Sequence, residues 1–135
     1  MSPVTLVNPP QLADPTRFAF SQLATVAPGT RLVYTAGIGG GKPDGTHDPD
    51  FAVEVRQCLA NLRSALDAVG GSLIDVAKLT ILVVDFDEER HGVLTAALRG
   101  AFGPDRYPAS TLIPVPRLAG ADMLIEIEAV GVLPA

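Results

Sequence analysis

The stretch LANLRSALDAVGGSLIDVAKLTILVVD, residues 59–85, contains a predicted helix and a predicted strand joined by a pair of glycines. Apolar residues recur at helical spacing as far as Gly70-Gly71, where the helix is expected to stop. The run 75–85 that follows is almost continuously apolar and rich in β-branched residues, which predicts a strand buried on both faces. This helix and this strand should therefore form the centre of the core.

Upstream of this stretch, Asp48-Pro49 predicts the start of the helix, with Asp48 as the capping residue and proline in the first turn. Its helical spacing predicts one inward-facing stripe, which consists of Phe51, Val55, Cys58, Leu59, Leu62, Leu66 and Val69.

Two short β-rich segments, 18–26 and 31–37, are separated by APGT and predict a hairpin. The glycine-rich segment GIGGGKPDGTHD, 37–48, predicts a long flexible loop with a Pro43-Asp44-Gly45 turn. GIGGGK does not match a phosphate-binding loop, because a Ser or Thr must follow the lysine and Pro43 follows here.

Downstream, Asp85 and Glu88 resemble a capping box that opens a second helix over 86–102, with Leu94, Leu98 and Phe102 facing inward. Two final strands are expected at 108–115 and 122–133. The order ββ-α-β-α-ββ predicts one α+β domain spanning 1–135, a sheet with two helices on one face. The other face is apolar too, so we expect further copies of the chain to cover it in a homo-oligomer.

Bulk composition excludes several classes of protein. The chain has 135 residues, 47% of them apolar and 19% charged, which is typical of a globular protein. A net charge of −5 and an isoelectric point near 4.8 argue against nucleic acid as a partner. Cys58 is the single cysteine, so no internal disulfide can form. We find no signal-peptide pattern and no apolar run of membrane-spanning length, so we expect a cytoplasmic protein without a membrane partner.

Few residues suggest chemistry on spacing alone. Glu126 and Glu128 share one face of the last strand, roughly 7 Å apart by the strand repeat, and either could act as a general base. The alternative is that both are solvated or paired with arginine at a subunit contact. His47 and His91 lack a second ligand at metal-binding spacing, so no metal site is predicted and His91 is expected on the surface. Cys58 fits a small buried hydrophobe.

Several segments together resemble the YjgF/RidA family: SQL and RLVYTAG, the stretch 59–85, YPAS at 107–110 and IEIEAVGV at 125–132. The resemblance extends from about residue 18 to the end. It implies a chorismate-mutase-like α+β fold with a mixed sheet, a homotrimer, and three small-molecule clefts between neighbouring subunits. Active members hydrolyse reactive enamines and imines, such as 2-aminoacrylate, without a metal or cofactor.

Carried over residue by residue, the resemblance assigns Glu126 as the carboxylate that positions water and Gly37 as the glycine of the family's Ser-Gly pair. The family arginine that clamps the substrate carboxylate is replaced by Ser110, which offers one neutral hydrogen bond in place of two charged ones. Phe20 replaces the family tyrosine and Leu112 the family cysteine. These changes suggest a ligand less polar than an imino acid.

Two hydroxyl side chains and two arginines lie near the missing clamp in the sequence. Ser110 and Thr111 have no base nearby in sequence, so they are expected to contact a ligand or backbone rather than act as nucleophiles. Arg106, four positions upstream of Ser110, could reach the site from another direction, whereas Arg117 in PRL is expected to be structural.

The sequence thus supports a divergent RidA-like homotrimer that binds a small metabolite, with Glu126 activating water in a cofactor-independent hydrolase. A non-catalytic ligand-binding or chaperone-like trimer is the alternative. A ribonuclease or translation inhibitor is a third hypothesis, disfavoured by the acidic charge.

Overall fold

The computed structural model describes residues 2–135. Seven strands and two α-helices alternate along it, with short 3₁₀ turns at Thr16–Phe18 and Leu73–Asp75. The elements are β1 (Val4–Val7), β2 (Leu23–Val26), β3 (Arg31–Tyr34), β4 (Ile38–Gly39), α1 (Phe51–Asp67), β5 (Val76–Val84), α2 (Glu88–Phe102), β6 (Ala109–Val115) and β7 (Ile125–Leu133).

The main sheet has the order β3-β7-β5-β6, with β4 also paired to β7. Strands β5 and β6 are parallel, and the other pairs in this sheet are antiparallel. A right-handed crossover through a helix is the usual way to join parallel neighbours, and α2 makes this connection here. The predicted α+β fold, a mixed sheet with two helices packed on it, is confirmed.

The predicted hairpin between 18–26 and 31–37 is wrong. Strand β2 pairs with β1, which the sequence did not suggest, and Val4 lies opposite Val26. Strand β3 pairs instead with the far end of β7, where Arg31 lies opposite Leu133. A turn does form around Gly29, whose φ is +74°. Strand β3, however, pairs with β7 in the main sheet, whereas β2 lies in a separate two-stranded sheet with β1.

Both helices begin two residues later than the sequence predicts. The side chain of Asp50, not Asp48, accepts a hydrogen bond from the Val53 amide and caps α1. Asp87, not Asp85, caps α2 in the same way. Each helix is preceded by two acidic residues two positions apart, and periodicity cannot distinguish between such neighbours.

Helix α1 buries six of the seven residues predicted to face inward. Val69 is the exception at 44% exposed, because the helix has already ended at Asp67. One buried position was missed entirely. Glu54 is fully buried although it is charged, and its partners are described below.

Within one chain, strand β5 is fully buried on one face only; burial of its second face by further copies of the chain stays a prediction. Leu79, Ile81 and Val83 lie beneath the helices, whereas the alternate residues remain partly exposed. At one end the β1–β2 ladder covers this second face, where Val4 packs with Ala77 and Val132. The rest of that face exposes Leu32, Tyr34 and Ile113. We call it the open face.

Candidate functional site

A cavity of about 240 Å³ lies between α2, β6 and the segment around Phe18. Most of its lining is apolar, and three of the side chains are phenylalanines: Phe18, Phe20 and Phe86. Aliphatic side chains from β5, β6 and α2 form the floor and one wall, namely Ile81, Leu94, Leu98 and Leu112. An apolar engineered cavity of about 150 Å³ binds benzene, so this one can hold a substituted six-membered ring.

Two residues assigned by the resemblance, Phe20 and Ser110, lie together in this cavity. Ser110 is on β6 opposite Leu79 of β5, on the face that carries the helices. Phe20 is held beside it by the next residue, Ser21, whose amide donates to the Pro108 carbonyl (3.1 Å) and whose hydroxyl donates to the Tyr107 carbonyl (2.6 Å). The buried Ser21 therefore joins the segment that carries Phe20 to the residues that lead into β6, on which Ser110 lies.

His91 also lines this cavity, which corrects its expected place on the surface. Its ring is half-buried and stacks on Phe18, with the centroids 4.6 Å apart and the planes 11° from parallel. Phe86 lies against it at 5.3 Å in a tilted arrangement. The signal was present in the sequence, because residues 91, 94 and 98 follow helical spacing on one face.

Glu126 lies on the opposite side of the sheet. It pairs with Leu82 of β5, and both side chains alternate with residues that are buried beneath the helices. The backbone of Gly37 lies directly against its carboxylate, since a Cβ at Gly37 would stand 2.5 Å from Cδ and 2.8 Å from each oxygen. Gly37 and Glu126 thus form a second group, separated from the cavity by the sheet.

Thr111 and Arg106 occupy two further places. The hydroxyl of Thr111 is on the open face and accepts a hydrogen bond from Lys78 Nζ at 2.7 Å. Arg106 Nη2 donates to the hydroxyl of Ser2 and to the carbonyls of Val4 and Ile74. Arg106 does not line the cavity, and its contacts favour a structural role that holds the N-terminal segment.

Gly37 offers a direct test of the carboxylate's position. Gly37→Ala is expected to displace the Glu126 carboxylate while changing the free energy of unfolding by less than about 1 kcal/mol, because the clashing atoms are the mobile end of a side chain. The measurement is the ¹³C carboxyl resonance of Glu126 together with urea unfolding. Gly100→Ala, at an exposed position of α2 where an added Cβ meets no atom within 4 Å, should leave that resonance unmoved. An unshifted resonance in Gly37→Ala would show that the two groups are not in contact.

The loop 37–48 is fastened to α1 by buried polar groups. Both oxygens of Glu54 lie 3.1 Å from Nδ1 of His47, and Oε1 also accepts from the Asp48 amide at 3.0 Å. Asn61 Nδ2 donates to the carbonyls of Gly39 (2.9 Å) and Gly41 (2.8 Å). The predicted turn is present, with the Gly45 amide donating to Lys42. Ile38–Gly39, however, is strand β4, so this part of the predicted flexible loop belongs to the sheet.

Cys58 lies in the same region and is chemically protected. Its Sγ donates to the Ile38 carbonyl at 3.1 Å, and burial, with the nearby Glu54 carboxylate, raises the pKa of the thiol from 9.0 to about 12. We expect the native protein not to react with a thiol reagent at pH 8 and to react once per chain when unfolded. Stoichiometric labelling of the folded protein within minutes would contradict this.

The same shift has a consequence for stability. Above pH 9.0 the unfolded chain releases the Cys58 proton, while the folded chain retains it up to a pKa of about 12. This residue therefore makes the free energy of unfolding fall as pH rises between those values.

The described residues offer neither a cluster of metal ligands nor a membrane-spanning helix. Among residues 2–135, no group of three or more His, Cys, Asp or Glu side chains is arranged to hold a metal ion. Within that same part of the chain, no helix is both long and apolar enough to cross a bilayer.

A sequence model of the family described as Endoribonuclease L-PSP matches residues 12–133. The chain belongs to this family. It is the YjgF/RidA family that the sequence motifs resemble. Among curated relatives, the RutC family protein YjgH of Escherichia coli is 32% identical over 96 residues, which cover 71% of this chain and 72% of that protein.

Solved structures of this family share the fold. The crystal structure of YyfB, a conserved Rid-family protein of Yersinia pestis, has a TM-score of 0.91 at 26% identity and covers 97% of this chain and 99% of that one. TdcF of E. coli, solved with bound serine, has a TM-score of 0.68 at 27% identity, over 84% of this chain and 87% of its own.

Proposed function

We propose that the protein is a homotrimer that binds a small metabolite in clefts between subunits and hydrolyses an enamine or imine there, with Glu126 as the base that activates water. One observation carries the proposal. The cavity with Phe20 and Ser110 lies on the helix face of the sheet, whereas Glu126 and Gly37 lie on the other face.

A small ligand cannot reach both faces of one sheet, because the backbone and its side chains separate them by several ångströms. The two groups can share a ligand only if the cavity comes from one subunit and Glu126 from its neighbour. Such a head-to-tail contact closes into a ring when it is repeated by a three-fold axis. The exposed Leu32, Tyr34 and Ile113 on the open face supply apolar area for this contact.

The chemistry requires few groups. As water attacks the imine carbon, the Glu126 carboxylate accepts a proton from it, and a C–O bond forms while the C=N π pair moves to nitrogen. The proton then returns to the nitrogen and gives a carbinolamine. Glu126 next moves the hydroxyl proton to the amine nitrogen, the C–N bond breaks as the C=O bond forms, and a carbonyl product and ammonia leave. An enamine enters the same path after protonation at carbon. No metal or cofactor is required.

The cavity lining favours a substrate without a strong negative charge. It contains no lysine or arginine, so a carboxylate would lose its solvation there without gaining a cationic partner. TdcF has been solved with serine, an amino acid. We expect the ligand of this chain to be less acidic than an amino or imino acid. A cytoplasmic location belongs to the same proposal and is compatible with the free Cys58.

The test of the shared site is a mixing experiment. Ser110→Leu fills the cavity, Glu126→Gln removes the base, and each variant alone should be inactive. Refolded together in equal amounts, they should recover roughly a quarter of the wild-type activity, because an intact cavity and an intact base must then come from different, independently drawn subunits (½ × ½).

The assay follows loss of 2-iminopropionate and of an uncharged imine such as that of acetone. A mixture no more active than its components would place both groups in one subunit's site or remove one of them from the mechanism. A wild type that binds ligand without accelerating hydrolysis would favour the non-catalytic binding trimer. Size measurement of each variant by light scattering controls for assembly.

A further inference from the structure

We propose that His91 is the specificity-determining residue of the cavity, and that its imidazole hydrogen-bonds the polar substituent of a compact, uncharged, ring-containing ligand. This inference rests on the proposed function in one respect: it assumes that the cavity is the ligand site. It goes further by assigning a residue that the family resemblance did not include and by naming the ligand's chemistry.

Three side chains bring polar groups to the cavity. His91, Thr95 and Ser110 line the cavity, and the single ion pair among residues 2–135 joins His47 to Glu54 and leaves His91 out of it. No buried side-chain N or O atom in that range lacks a hydrogen-bond partner. The polar atoms of these three side chains are therefore still accessible: Ser110 lines the cavity, and His91 and Thr95 line both the cavity and the depression beside it. Of the three, only the imidazole offers both a donor and an acceptor on a rigid ring.

Aromatic packing fixes the orientation of the His91 ring. The ring of His91 is held between Phe18 at 4.6 Å and Phe86 at 5.3 Å, so its plane is set by packing before any ligand enters. A flat ligand can lie against these rings, since aromatic groups prefer offset or tilted contacts at such separations. A preorganised polar group in an apolar cavity is the usual means of orienting a ligand.

Charged side chains line a depression beside the cavity. This depression shares Phe18, His91 and Thr95 with the cavity and carries Arg17, Glu88 and Arg99. Arg99 Nη2 is held by the carbonyls of Thr16 and Arg17, and Arg17 lies over the Phe18 ring at 4.7 Å. Both cations line the depression and not the cavity, and Glu88 offsets one of them, so an anion inside the cavity would have no cationic partner in its lining. A neutral ligand therefore suits the cavity better than an anion.

The experiment measures binding of three probes of similar size, benzamide, toluene and benzoate, by calorimetry or ligand-observed NMR. The wild type should bind benzamide more tightly than benzoate. His91→Phe keeps the ring stack and removes the nitrogens, so benzamide affinity should fall about tenfold while toluene affinity stays within about twofold. His91→Gln should regain part of the benzamide affinity, and it serves as the second variant if His91→Phe folds poorly.

The proposal is overturned if His91→Phe leaves benzamide affinity unchanged, if it weakens toluene equally, or if the wild type prefers benzoate or binds no benzamide. If the wild type binds no benzamide but the mixing experiment recovers activity, this inference fails and the proposed function stands. If benzamide binding depends on His91 but the protein hydrolyses no imine, the proposed hydrolysis fails and this inference stands. Glu128→Gln should bind benzamide like the wild type, because Glu128 lies on the open face and outside the cavity lining.

Discussion

Replacing Glu126 by glutamine is expected to lower imine hydrolysis at least about 100-fold, the usual range for loss of a general base. The amide has the size and shape of the carboxylate but cannot accept a proton from water at neutral pH. Glu126 takes part in no ion pair within residues 2–135, so we expect the fold and the proposed oligomer to persist. Turnover is measured under saturating substrate, with light scattering to confirm the assembly.

A matched control lies two residues away on the same strand and the same face. Glu128 is exposed and pairs with Thr80 of β5. Glu128→Gln should retain activity within about threefold of the wild type, because this residue lacks the glycine contact that places Glu126. Equal losses in the two variants would indicate a general effect of charge on the open face. Full activity of Glu126→Gln would remove this residue from the mechanism.

Replacing Glu54 by alanine is expected to lower the free energy of unfolding by about 2–6 kcal/mol, roughly 1–3 kcal/mol for each of the two hydrogen-bond donors that lose a buried acceptor. The carboxylate is fully buried and engages both His47 and the Asp48 amide. Without it, the imidazole and the amide lose their acceptor, and the backbone of Gly40, whose Cβ would lie 2.6 Å from Oε2, loses the surface it packs on. Urea unfolding at a fixed protein concentration measures the change.

Two variants calibrate that loss. Glu54→Gln keeps an oxygen that can accept from the Asp48 amide and should lose less than Glu54→Ala. Arg56→Ala, at an exposed position of the same helix, should change stability by less than about 0.5 kcal/mol. If Glu54→Ala and Arg56→Ala unfold at the same urea concentration, the His47–Glu54 pair does not stabilise the fold.

Local patterns were sufficient where one element determines its own structure. The apolar periodicity of α1, the Gly70-Gly71 stop and the branched run of β5 all depend on neighbours a few residues away, and they were predicted. Local patterns did not predict which strands pair with each other. Strand β2 joined β1 and not β3, because the partner of a strand is decided by which distant edges meet, and alternation within a short strand carries no record of that.

Buried polar residues were the other failure. His91 was expected on the surface and Glu54 was not singled out, because charged and polar side chains are usually exposed. Both are held inward by distant groups: Glu54 by the loop that ends at Asp48, and His91 by Phe18 from the segment before β2. Helical spacing could have suggested His91, but the aromatic partner that stacks on it lies 73 positions away in the chain (91 − 18).

The residues of the candidate site show the same division. Side-chain types and motifs in the chain were enough to select Glu126, Gly37, Phe20 and Ser110 as candidates by their resemblance to family motifs. Only the folded sheet placed the first two on one face and the last two on the other. The reason is the pleat: a side chain's face depends on the register between β5, β6 and β7, which long-range pairing sets and no local pattern contains.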